Sequence, residues 1–172
     1  MAKRKSIEGK DLMLFIDGKS IALATSCTLN LQRASNDSSS KDDGVWASDT
    51  PGDLSWNISS DNLYSASEGA DAKQLAYDEL FEAMVGSKDL QIVFGIASNK
   101  GADGLPEGGW LAPTSGGYTG VVHVTDLSLS GAKGSAASFS ASFVGSGALK
   151  PQTAAQTTAV SEQGDNPDNT ES

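Results

Sequence analysis

The chain has 172 residues, a formal charge of −10 from 12 Lys+Arg against 22 Asp+Glu, and one cysteine. So acidic a chain makes a poor grip on nucleic acid, because affinity for phosphate comes from Lys and Arg, and a lone cysteine excludes an internal disulfide framework. No apolar run approaches the ~20 residues that span a bilayer, while 19 glycines and abundant Ser and Thr favour strands and turns over helices in one domain with appendages.

Residues 1–10 form a basic arm with no apolar stretch of the kind a signal peptide carries. DLMLFI (11–16) reads as a strand, and Asp17-Gly18 is a two-residue hairpin signal. The strand predicted next, 19–33, would reach about 40 Å at ~3.3 Å per residue. In SIALATSCTLNLQ, Ile21, Leu23, Cys27, Leu29 and Leu31 alternate with Ser20, Ala22, Ala24, Ser26, Thr28, Asn30 and Gln32. Alternation of this period suits a half-buried strand, with Cys27 as a small core residue. The second face is unusual in having no charge at all.

Residues 33–53, RASNDSSSKDDGVWASDTPGD, have no period and hold Val45 and Trp46 at their centre. Loops of this length in compact domains are commonly functional, and a tryptophan there suggests an arm that docks on something. Residues 54–65 form a strand with Leu54, Trp56 and Ile58 on one face. A helix over 71–86, capped by Ser67 or Asp71, is predicted from the stripe Tyr77, Leu80, Phe81 and Met84, with Gly86 as its stop. Strands follow over 89–98, 118–131 and 135–145, separated by a Gly/Pro-rich loop containing Trp110. Within 118–131 the apolar phase flips between Val124 and Leu127, which predicts a bulge near Thr125 and Asp126. Residues 150–172 hold no aromatic side chain and are expected to be a disordered tail after a domain over 11–149.

No constellation for catalysis, a metal or a cofactor emerges. Gly18-Lys19-Ser20 lacks the preceding glycine and following helix of a phosphate loop, since Met13 stands where that glycine belongs. Asp42-Asp43-Gly44 lacks the acids of a calcium loop at Ser39 and Lys41. His123 is the only histidine and has no cysteine or second histidine beside it in sequence. Glu79 and Glu82 lie away from the apolar stripe and read as solvated surface rather than paired acids. The expectation is a mainly β domain, an antiparallel β-sandwich or half-barrel with one flanking helix, acting as a structural or binding protein and not an enzyme.

DLMLFIDGKSIALATSCTLNL, the loop with KDDGVW, and PGDLSWNISSDNLYS resemble the major tail tube proteins of long-tailed bacteriophages, over about residues 11–145. The resemblance implies six copies whose inner sheets join into one ring barrel, rings stacked around a tape-measure protein and bounded by terminator and baseplate proteins, and later passage of double-stranded DNA. It implies assembly in the cytoplasm of an infected bacterium and residence in the virion tail, with no membrane role. Contacts between subunits or rings would fall on 36–52, including Lys41, Asp42, Asp43, Val45 and Trp46. The uncharged face, Ala22, Ala24, Ser26, Thr28 and Asn30, would line the lumen. Six copies at −10 each carry about −60 in formal charge, and Asp11, Asp17, Asp61 and Asp126 are the candidates for the part that faces inward. The inner tube of a contractile injection system is the near alternative. A monomeric β-sandwich module with Trp46, Trp56 and Trp110 as a sugar platform is the distant one.

Overall fold

Asp17 and Gly18 make the first turn. Both lie at positive φ, 50° and 82°, as a tight hairpin requires, and they join β1 (Leu12–Ile16) to β2 (Lys19–Ile21). The structure, a computed structural model, describes residues 6–41, 44, 46–65, 74–101, 104, 106 and 108–153.

The strand expected over 19–33 is broken. The chain turns at Ala22 and Leu23, with Leu23 at φ 49°, and restarts as β3 (Ala24–Asp37), from which β4 (Asp49–Leu63) returns. After the short β5 (Gln74–Leu75) come a helix, α1 (Tyr77–Val85), and the strands β6 (Leu90–Ile96), β7 (Gly117–Ser130) and β8 (Ser138–Gln152). They form one sheet in the order β3-β4-β8-β7-β6-β1-β2-β5. Its pairs are antiparallel apart from β2 with β5, which is parallel, so the sheet is mixed rather than purely antiparallel.

β2 and β3 are two residues apart in sequence yet lie near opposite ends of that order. The sheet must therefore curl until its ends meet, and the turn residues bond to what lies on either side. Ala22 N–H donates to Leu75 O at 2.9 Å, and Leu63 N–H donates to Leu23 O at 3.1 Å. Inside the curl sit Leu14, Ile16, Trp56, Ile58, Ile92, Val122, Phe139 and Phe143, all nearly or fully buried. The half-barrel with one flanking helix is thus built from a single sheet.

Helix α1 closes this core by a narrower stripe than expected. Leu80 and Ala83 are buried, while Phe81 is 51% exposed and Met84 38%. The small Ala83 one turn after Leu80 sets the contact line and leaves Phe81 and Met84 beside it. Asp71 and Ser67, the expected caps, lie outside the described residues. Instead Glu79 Oε2 accepts from the Ala76 N–H at 3.1 Å, satisfying an orphan donor at the helix start, and Glu79 Oε1 accepts from Lys19 Nζ at 3.3 Å. Past the helix, the left-handed residue is Ser87 (φ 50°), with Gly86 still right-handed.

The bulge predicted near Thr125 is present, as a register shift between Val124 and Asp126. A second shift between Thr119 and Val121, where Gly147 takes φ 75°, carries β8 on to Gln152. The ordered strand therefore passes the expected domain boundary at 149 by three residues. Residues 154–172 of the expected tail lie outside the described residues.

Candidate functional site

One face of β3, β4, β8 and β7 stays outside the core and is built almost wholly from small polar side chains. Residues paired across strands share a face, so the registers define continuous rows. Ser26, Asp61, Ser140 and Ser128 make one row; Thr28, Ser59, Ser142 and Asp126 the next; Asn30, Asn57, Val144 and His123 a third. No Lys or Arg stands in them. The alternation in β4 explains the sidedness: Trp56, Ile58, Ser60 and Asn62 point inward and are buried, while Ser55, Asn57, Ser59 and Asp61 are exposed.

Of the residues expected on this face, Ser26, Thr28 and Asn30 stand in the rows and are exposed. Ala22 does not: it is buried in the turn before β3, because the long strand breaks there. Ala24 is exposed, but a bulge between it and Ser26 puts it opposite the inward-facing Asn62 and out of the rows. Among the acidic candidates Asp61 and Asp126 lie on the face. Asp11 is instead ion-paired with Lys100, and Asp17 sits in the hairpin turn, its Oδ1 accepting from Gln91 N–H at 3.2 Å.

Asp61 is the centre of the face. Its Oδ1 accepts from Ser140 Oγ at 2.7 Å and its Oδ2 from Ser26 Oγ at 2.8 Å. Hydrogen bonds to the ionised form hold its carboxyl below the ordinary aspartate value, Ser140 contributing most and Ser26 next.

Two edges flank the four strands. β3 ends the sheet and pairs only with β4. β6 covers β7 from Gly117 to Val122 alone, so His123–Ser130 has no strand on that side among the described residues. Unpaired edges of this length template the addition of another chain.

Beyond this face the β3–β4 pair projects as a ribbon. β8 pairs with β4 only over Asn57–Leu63, which leaves the far halves of β3 and β4 with each other alone. Leu31 and Leu54, on the inward side of the ribbon, are 57% and 60% exposed for that reason. The contact loop expected over 36–52 is shorter than read, because Asp37 and Asp49 still pair. Lys41 is exposed at its tip, and Trp46 is 88% exposed. Asp42, Asp43 and Val45 lie outside the described residues. The ribbon had one sequence signal, Pro51 and Gly52 inside a strand, which marks a segment free of central pairing.

Trp56 is 4% exposed, its indole N–H donating to Gly147 O at 3.0 Å, so it cannot join a sugar platform. Among the described residues no group of acidic, histidine or cysteine side chains could hold a metal ion. No helix of the described residues is long and apolar enough to cross a membrane.

The sequence matches the phage tail tube protein family over residues 7–151. In fold it is similar to a chain of the virion of a native gene transfer agent particle, with TM-score 0.62, 17% identity, and coverage of 84% of this chain and 97% of that one. A chain from the tail of an empty gene transfer agent particle, refined with C6 symmetry, gives TM-score 0.62 and 18% identity over 84% and 98%. The SPP1 tail tube gives 0.59 and 10% identity over 86% and 81%. No curated protein matches the sequence. With a family match over most of its length and this curled sheet as its fold, the chain belongs to the phage tail tube protein family and has a structural role in the tail tube.

Proposed function

We propose that copies of this chain close into a ring by pairing the β3 edge of one copy with the free half of β7 in the next, with the polar face turned to the bore. The observation that carries this reading is the continuous, cation-free face bounded by those two edges. Strand direction supports it. Four antiparallel strands alternate in direction, so β3 and β7 run oppositely, and a rotated copy presents its β3 antiparallel to β7. Closure removes both exposed edges. Six copies per ring is our choice, in keeping with the C6 symmetry of the gene transfer agent tail.

Rings stack into a tube in the virion tail after assembly in the cytoplasm of the infected bacterium. A tape-measure protein occupies the bore first and double-stranded DNA passes later, with terminator and baseplate proteins at the ends. A wall of Ser, Thr and Asn with Asp61 and Asp126 repels phosphate and has no cation to retain it. The chain acts by assembly, with no catalytic step and no cofactor. Negative-stain microscopy of the purified protein tests the reading: rings or tubes with a central hole are expected. A species that stays monomeric at high concentration in every salt overturns it.

A further inference from the structure

Where the curled sheet closes on itself, a cavity of about 310 Å³ opens between β1, β2 and the first residues of β3. Its walls include Leu12, Leu14, Leu23, Cys27 and Trp110, and Ser20. Ser20 is 2% exposed, and its Oγ has no hydrogen-bond partner. A buried hydroxyl without a partner is costly to leave unmet, and this one belongs to the lining of a hollow of mixed apolar and polar character that opens to solvent. Beyond the far end of β3, in the connection to β4, Trp46 holds an indole 88% exposed.

From this we infer that Trp46 of one copy inserts into the seam cavity of the next copy along the tube, its indole N–H donating to Ser20 Oγ. The inference rests on the stacking reading above and names its contact. A tryptophan brings a large apolar ring and one donor, which suits a lining where Leu12, Leu14 and Leu23 stand beside the unmet hydroxyl of Ser20 and the polar Thr25, Ser26 and Gln74. Its own copy cannot supply it: Cys27, in the cavity wall, and Asp37, before the tip, are ten residues apart on β3, roughly 33 Å of extended chain. Tip and hollow at opposite ends of one ribbon make a head-to-tail contact, which repeats without closing and so extends a stack. Charge agrees. Among the described residues Lys10 lines the cavity, while Asp37 and Asp49 stand opposite each other at the base of the tip.

Benzoylphenylalanine placed at position 46 of the full chain tests this. After photolysis of the assembled protein, mass spectrometry should find cross-links to residues 9–27 or Trp110 of a second copy. Cross-links that fall tip to tip or elsewhere, with tubes still formed, overturn the inference. Trp46→Ala should raise the concentration needed for tubes about tenfold while rings persist. Ser20→Ala, whose hydroxyl has no partner within the fold, should weaken stacking several-fold in the wild-type background and not at all beside Trp46→Phe, which lacks the donor. Wild-type tubes with an unaffected Trp46→Ala variant overturn the docking alone. Wild-type protein that never polymerises overturns the assembly reading and the docking together.

Discussion

The hydroxyl of Ser140 donates to Asp61 Oδ1 at 2.7 Å, across the junction between β8 and β4. Since Ser26 of β3 holds the other oxygen, one carboxylate ties three strands together on the exposed face. The bonds favour the charged form, so the folded pKa lies below the unfolded one. For a depressed acid the stabilisation is fully present above the unfolded pKa, near ~3.9, and is lost as pH falls through the lowered folded value. In a carboxyl-detected NMR titration Asp61 should therefore titrate below ordinary aspartates. Ser140→Ala should move its midpoint up further than Ser26→Ala, following the order of their contributions. Equal midpoints in all three proteins would show that the hydroxyls do not set it.

The same carboxylate bears on the proposed bore. Tubes of Asp61→Lys/Asp126→Lys protein should retain labelled double-stranded DNA at low salt and release it as salt rises, while wild-type tubes retain none. The reason is that a ring of added cations supplies the phosphate contacts the native wall lacks, and such contacts weaken steeply with salt. Retention that is the same in both proteins would put this face elsewhere than on the bore.

Helix α1 offers a contrast between neighbours. Leu80→Ala, at a fully buried position, should cost about 2–5 kcal/mol in urea unfolding. Phe81→Ala, at a half-exposed one, should stay within roughly 1 kcal/mol of wild type in the isolated subunit. A larger loss for Phe81 would mean the helix packs on a different face.

Gly145 lies under the indole of Trp56, and a Cβ there would overlap the ring. Gly145→Ala should cost about 1–3 kcal/mol through overpacking. It should also shift tryptophan emission as Trp56 is displaced and its bond to Gly147 is lost. Unchanged stability and emission would show that the ring has room to move.

Burial pushes the Cys27 thiol up to about 11, with the charge of Asp61 adding to the rise and a backbone hydrogen bond at Leu14 opposing it. Alkylation depends on the thiolate, so at pH 8.5 iodoacetamide should react with the folded protein roughly 100-fold more slowly than with an unperturbed cysteine of pKa ~8.5. Unfolding in urea should restore the ordinary rate. Fast reaction of the folded protein would mean the seam opens.

Local chemistry was legible in the residues themselves. Asp17-Gly18 specifies its hairpin because few other pairs accept two positive φ values. The flip from Val124 to Leu127 demands a bulge because strand faces alternate strictly. Alternation likewise put Ser26, Thr28 and Asn30 on one uncharged face, together with Ala22 and Ala24, which the turn before β3 and the bulge before Ser26 take out of it. It could not find the break at Ala22 and Leu23, because the apolar phase runs through it unaltered. That break arises only when the sheet curls and the turn gains partners at Leu75 and Leu63. The curl also decided which apolar residues count as core. Leu31 and Leu54 share the inward side with Leu29 and Trp56, yet they lie beyond the reach of β8 and stay exposed. Periodicity reports the side a residue faces; only the packed sheet decides what stands opposite it.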